Sequence, residues 1–181
     1  SKQIAIVYFS GYGHTQRMAE AVAQGAGATL VAVDAEGNVP DSGWATLAAA
    51  DAIVFGAPTY MGSVPWQFKK FIDATSRIWY TQGWKDKLAA GFTNSASMNG
   101  DKLSTLHYLF TLAMQHSMVW VGTGMMPSNS KAATRNDVNY VVGNLFASHT
   151  GASVDEMLPG DLETARLFGE RVRAVANRFN A

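Results

Sequence analysis

Residues 4–9, Ile-Ala-Ile-Val-Tyr-Phe, form an unbroken apolar run of strand length. A run that is apolar on both faces predicts a strand buried on both sides, as in a parallel sheet. After a Gly-containing turn over residues 10–15, Met18, Val22 and Ala26 recur at helical spacing and predict a helix over residues 16–25. Residues 29–33 read as a second short strand, residues 34–42 as a loop with Gly37 and Pro40, and residues 44–50 as an Ala-rich helix. Residues 52–57 repeat the buried-strand pattern and stop at Pro58. Phe68, Phe71, Ile72 and Thr75 then make a stripe with Lys69, Lys70 and Asp73 facing away, so a helix opens near Pro65. Residues 88–94 and 118–121 predict the fourth and fifth strands. Asp101 is the expected cap of a helix carrying Leu103, Leu106, Phe110 and Ala113. Asp161 is the expected cap of the last helix, whose stripe is Ala165, Phe168, Val172, Val175 and Phe179.

Strands and helices alternate throughout, which predicts an α/β fold: a doubly wound sheet of five parallel strands flanked by helices. The length, 181 residues, fits a single domain over residues 1–181. The long irregular stretch over residues 122–160 is expected to be functional or partly helical. Lys and Arg total 14 and Asp and Glu total 14, a net charge of zero. That balance argues against a nucleic-acid binder that neutralises phosphates, and against a strongly acidic carrier that docks by steering. Cysteine is absent, which excludes disulfides, thiolate metal sites and cysteine nucleophiles. His and carboxylates show no metal-ligand spacing, so no metal is expected. The richest apolar stretch, residues 47–58, is broken by Asp51 and falls short of the ~18 residues a membrane span needs. The chain runs straight into a strand without a leader-like segment, so the expectation is a cytoplasmic protein with no membrane insertion.

In an open α/β sheet, ligands bind beyond the carboxyl ends of the strands, near the switch in strand order. Strand one is followed by Ser10, Gly11, Tyr12, Gly13, His14 and Thr15. Strand three is followed by Pro58, Thr59, Tyr60, Met61 and Gly62, strand four by Asn94, Ser95, Ala96, Ser97, Met98, Asn99 and Gly100, and strand five by Gly122-Thr123-Gly124. These tips are rich in Gly, hydroxyl groups and aromatics and hold no carboxylate. In the first, two glycines let the backbone curl and aim its N–H groups at one spot. Ser10 and Thr15 add hydroxyl donors, and the following helix adds the positive end of its dipole, which together suit a phosphate monoester. The same letters also fit an ordinary βα turn. In the second loop Tyr60 offers a face to a flat ligand or packs on the neighbouring helix.

Other loops are excluded by their letters. A dinucleotide fingerprint needs a third Gly where Gln16 stands. A Walker loop needs Gly-Lys-Ser/Thr, which is absent. A phosphorylated receiver needs acids where Phe9-Ser10 and Ala57-Pro58 stand, and a phosphatase loop on this fold needs a cysteine.

The hexapeptide over residues 10–15, Ala-Pro-Thr-Tyr-Met-Gly over residues 57–62, and Phe-Ile-Asp-Ala-Thr over residues 71–75 followed by Trp79 resemble flavodoxin-like proteins. Within that group the chain is most similar to the WrbA-type NAD(P)H:quinone oxidoreductases and their FMN-reductase relatives; residues 161–169 resemble the start of their last helix. The resemblance implies FMN, with its phosphate at Ser10, Tyr12, Gly13, His14 and Thr15. It implies a flavin ring edge at Pro58, Thr59, Tyr60, Met61 and Gly62, and a further flavin loop over Asn94, Ser95, Ala96, Ser97, Met98 and Asn99. Trp79 matches an aromatic on the substrate side, often supplied by a neighbouring subunit. The third loop departs from the family, with Ala96, Met98 and Asn99 where Gly and Thr are commoner. Met114-Gln115-His116 stands where the family often has a His pair, and His116 is the candidate to donate to the flavin or to cap its helix.

Two functions follow as expectations. In the first, NAD(P)H as co-substrate reduces FMN, which reduces a quinone-like small-molecule acceptor by two electrons. In the second, the protein is an FMN-binding electron carrier without a substrate of its own. Ile78, Trp79, Tyr80 and Trp84 cluster in sequence and predict an apolar patch, and with the family's shared pocket they imply a homo-oligomer, a dimer or tetramer.

Overall fold

The computed structural model describes residues 1–98, 101–127, 138, 148–149 and 153–179. Five parallel strands, β1 (Ile4–Tyr8), β2 (Thr29–Ala32), β3 (Ala52–Pro58), β4 (Leu88–Ser95) and β5 (Val119–Trp120), lie in the order β2-β1-β3-β4-β5. Helices α1 (His14–Ala26), α2 (Asp41–Ala49), α3 (Trp66–Ala74), α4 (Ser76–Tyr80) and α5 (Lys102–Gln115) connect them, and α6 (Pro159–Arg178) ends the fold. The predicted α/β architecture is the observed one. A short strand β6 (Ser148–His149), inside the stretch read as irregular, adds to β4 in parallel at Asn94 and Ser95. No described helix is long and apolar enough to cross a membrane.

The chain moves from β1 to β2 in one direction and then in the other across β3, β4 and β5. Right-handed crossovers therefore place α1 on one face and α2, α3 and α5 on the opposite face. The apolar run of β1 divides accordingly. Ile4, Ile6 and Tyr8 pack with Met18, Val22, Phe168 and Val172, whereas Ala5, Val7 and Phe9 pack with Leu47, Phe55, Phe68 and Leu109. On the first face α1 and α6 touch backbone to backbone. A Cβ added at Gly25 would lie 1.8 Å from the Arg166 carbonyl oxygen, and one at Gly169 would lie 2.1 Å from that of Val22. Arg173 closes the end of α1 by donating to the carbonyls of Ala26 (2.8 Å) and Gly27 (3.2 Å), and to that of Lys2 (2.6 Å).

Several local expectations are corrected. Asp101 precedes α5 in a left-handed conformation, φ 56°, and its side chain makes no capping bond. Leu103 is exposed, and Lys102, Thr105 and Leu109 face inward instead. Helix α6 begins at Pro159, which suits a first helical position, so Asp161 is buried inside the first turn rather than capping it. Phe179 lies past the end of α6 and is exposed, and Ala176 closes the buried stripe. The expected patch is smaller than its letters: Trp84 is buried against Phe55 and His116, Ile78 is partly buried, and Trp79 and Tyr80 stay exposed.

Candidate functional site

The strand order reverses between β1 and β3, and the loops beyond their carboxyl ends border one cavity of about 610 Å³. Gly11, Tyr12, His14 and Thr15 line it from the first loop, Pro58, Thr59 and Tyr60 from the second, and Asn94, Ser95 and Ala96 from the third. Ser153 and Val154 also line it. The volume is in the range of cofactor sites, roughly 300–1,000 Å³. None of these lining side chains is a carboxylate, a lysine or an arginine.

The first loop is shaped by Ser10 and Gly13. The Ser10 hydroxyl oxygen accepts from the amides of Gly13 and Gln16, both at 3.1 Å. Gly13 turns the chain into α1 at φ 97°, a conformation that L side chains rarely adopt, and a Cβ there would lie 2.9 Å from Val154 Cγ2. The first intrahelical bond is Arg17 N–H to the Gly13 carbonyl, so the amides of His14 and Thr15 have no acceptor inside the helix. The His14 Nε2 is buried without a hydrogen-bond partner among the described residues. Backbone amides at a helix start, a glycine at a φ that curls the loop, and an orphaned buried imidazole nitrogen are what a phosphate monoester fits.

Thr15 behaves differently from its sequence reading. Its hydroxyl is buried and donates to Asn94 Oδ1 at 2.7 Å, so it ties the first loop to the third instead of standing free as a donor. The second and third loops are joined in the same manner. The Thr59 amide donates to the Asn94 carbonyl at 2.9 Å, and the Thr59 hydroxyl bonds those of Thr93 (2.8 Å) and Thr105 (2.9 Å). Beneath the third loop the Lys102 ammonium is buried and donates to Ser95 Oγ (2.7 Å), the Ser97 carbonyl (3.0 Å) and the Met98 carbonyl (2.7 Å). A buried charge is tolerated when it is hydrogen-bonded in this way.

At the cavity mouth the Tyr12 and Tyr60 rings meet edge to face at 6.3 Å. Burial pushes the Tyr60 phenol above its ordinary value, with a smaller contribution from Tyr12. Met61 (φ 48°) and Gly62 (φ 81°) form the tip of a tight turn closed by mutual backbone bonds between Tyr60 and Ser63. They stand outside the cavity lining, as do Ser10, Gly13, Ser97 and Met98, and Met61 is fully exposed. Asn99 lies outside the described residues.

His116 and Trp79 belong to another place. Helix α5 runs from the carboxyl edge of the sheet to its amino edge, and His116 ends it there. Together with Thr75 and Trp79 it borders a separate cavity of about 410 Å³. The Thr75 hydroxyl donates to the Ile72 carbonyl at 2.7 Å, so it accepts from His116 Nε2–H at 2.9 Å. That fixes the tautomer and leaves the buried Nδ1 without a partner among the described residues. Burial accordingly holds the His116 pKa below the usual imidazole value. Within one chain neither residue joins the cluster of loops.

Ser153, Val154, Lys102 and Thr105 escaped the sequence reading. Ser153 could have been found, because Ser-Val-Asp-Glu over residues 153–156 is a capping-box pattern and the structure forms that box. Lys102 and Thr105 carry no such signal, since polar letters at a helix start read as solvent-facing.

Comparison with known proteins agrees with the fold. Residues 4–132 match the family model described as NADPH-dependent FMN reductase. Flavodoxin FldP of Pseudomonas aeruginosa is 52% identical, with 97% of each chain covered. An NAD(P)H dehydrogenase (quinone) of Geobacter sulfurreducens is 34% identical, with 98% of each covered. Among solved structures, a flavodoxin, WrbA-like protein from Agrobacterium tumefaciens is 53% identical and superposes with a TM-score of 0.83, covering 99% of this chain and 100% of its own.

Proposed function

The chain belongs to the NADPH-dependent FMN reductase family, whose members are flavodoxin-like FMN-binding oxidoreductases, and from that premise we propose that it passes two electrons from NAD(P)H through FMN to a quinone-like acceptor. The observation that carries this reading is the convergence of three strand-end loops on one cavity beside a helix start, with no carboxylate, lysine or arginine among its described lining residues. In it, the amides of His14 and Thr15, on a loop braced by Ser10 and curled by Gly13, hold the phosphate. Pro58, Thr59 and Tyr60 flank the ring system with Asn94, Ser95 and Ala96. When bound, FMN supplies the acceptor for a hydride and the donor of two electrons. The protein's own part is to orient that group on loops tied together by the Thr59, Thr93 and Thr105 hydroxyls, with Tyr12 and Tyr60 at the cavity mouth.

The second reading, an electron carrier without a substrate, is favoured by the name of the 52% identical relative. Against it stand the balanced charge and the absence of carboxylates among the described residues that line the cavity, unlike a docking surface built for steering. The exposed Trp79 and Tyr80 lie on the segment leading to the amino end of β4, away from the cavity of their own chain, so Trp79 could serve as a substrate-side aromatic only across an interface of a dimer or tetramer. A cytoplasmic setting, where NAD(P)H is plentiful, completes the reading.

The test is turnover. FMN-loaded protein under anaerobic conditions should lose its visible flavin absorbance on adding NADH or NADPH and regain it on adding a benzoquinone, over many cycles. The same preparation should sediment above the monomer mass. Absorbance that survives both nicotinamides, yet bleaches with dithionite, would place the protein with the carriers, and a monomer that turns over quinone would contradict the shared pocket.

A further inference from the structure

We propose that Lys102 is a positioning residue that fixes the third loop and biases bound flavin towards its anionic two-electron-reduced form. The proposal rests on the reading that the cavity takes FMN.

The ammonium is in an unusual place. It is 5% exposed, on the first residue of α5, and donates to Ser95 Oγ, Ser97 O and Met98 O within 3.0 Å. Burying a lysine costs free energy unless its protons are taken up, and here three acceptors of the loop are among its partners. This has a consequence for the backbone. In a planar trans peptide the carbonyl and the next amide point in opposite directions. Drawing the Ser97 carbonyl onto Nζ therefore turns the Met98 N–H away from the ammonium. Lys102 thus decides which face of the loop presents donors.

The second consequence is electrostatic. Ser95 lines the cavity and its hydroxyl is 2.7 Å from Nζ, so the ammonium lies one side chain behind the wall. Among the described residues, those that line the cavity carry no Lys or Arg. Hydride transfer from a reduced nicotinamide forms the N5–H bond of the flavin and leaves oxidised nicotinamide. It also leaves one negative charge on the flavin's N1–C2=O edge unless a proton is added from water. A fixed cation in a low-dielectric wall favours that anion over the neutral oxidised ring. The bias is towards two-electron chemistry, as the proposed activity requires.

Midpoint potentials of bound FMN test this, together with binding of FMN to the oxidised protein. Lys102→Gln keeps hydrogen-bond donors and removes the charge, and Lys102→Arg keeps the charge. The Gln variant should lose roughly tenfold of its preference for reduced over oxidised flavin, which lowers a two-electron potential by about 30 mV, while the Arg variant stays near wild type. Equal weakening of both redox forms, with the potential unchanged, would show a structural role only and overturn the charge assignment.

Wild type supplies a second readout that depends on no variant folding. In mildly acidic buffer, where free reduced flavin is neutral, its bound potential should fall by about 30 mV per pH unit, the value for two electrons with one proton. A slope of about 59 mV per pH unit means two protons and overturns the proposal. Wild type that takes up no FMN overturns the proposed function as well, whereas a normal FMN site with the two-proton slope overturns this assignment alone.

Discussion

Gly169→Ala is expected to destabilise the protein by about 3 kcal/mol, although alanine is the better helix former by about 1 kcal/mol. The added Cβ would lie 2.1 Å from the Val22 carbonyl oxygen and 2.8 Å from the Ala26 amide nitrogen. Those are backbone atoms of α1, so the contact is relieved only by moving one helix against the other. Gly25 makes the reciprocal approach, 1.8 Å from the Arg166 carbonyl oxygen, and Gly25→Ala should cost a similar amount. The two helices cover one whole face of the sheet, where Met18, Val22, Phe168 and Val172 are buried. Separating them therefore also loosens that core. For a protein of this size the loss corresponds to a fall in Tm of roughly 6–12 °C. Urea unfolding should show the midpoint shift with little change in slope. A variant within about 0.5 kcal/mol of wild type would contradict the close helix contact.

Gly13→Val should leave the fold in place and remove the cofactor. At φ 97° a β-branched side chain is strained, by about 1–2 kcal/mol, and its Cβ would meet Val154 Cγ2 at 2.9 Å. A protein with a usual stability of about 5–15 kcal/mol survives that cost. The cradle does not, because the loop must rotate and carry with it the amides of His14 and Thr15. Losing two hydrogen bonds to a charged group, each worth about 1.5–3 kcal/mol, raises the FMN dissociation constant about 100-fold or more. Fluorescence titration of FMN measures the loss, and an unchanged far-ultraviolet dichroism spectrum shows that the fold remains. A dissociation constant within about threefold of wild type would mean that the phosphate is held elsewhere.

How much of this was legible in the letters varied with the physics. Strands β1 and β3 are apolar at successive positions because helices cover both faces, so they read directly. The three loops also read directly, since each follows a strand's carboxyl end and parallel pairing must bring those ends together. What did not read was the use of each polar group. The Thr15 hydroxyl finds Asn94 at a separation of 79 residues, and Thr59 finds Thr105 at 46, pairings that no local pattern encodes. Helix α5 misled for the same reason. Its buried Lys102 and Thr105 support the loops above them, while Leu103 is left in solvent, the reverse of what an apolar stripe predicts. Trp84 likewise looked like surface beside Trp79 and Tyr80, yet it fills the core between Phe55 and His116.

The central claim is that the cavity between β1, β3 and β4 binds FMN through its phosphate at the first loop. Parallel titrations of the apoprotein with FMN, riboflavin and FAD test it most directly. Two or more charge-assisted hydrogen bonds predict that FMN saturates one site per chain and that riboflavin binds at least about 100-fold more weakly. FAD should also bind more weakly, because its phosphate is not terminal and the loop lacks the dinucleotide glycine pattern. Equal affinity for FMN and riboflavin, or no uptake of FMN, would contradict the account.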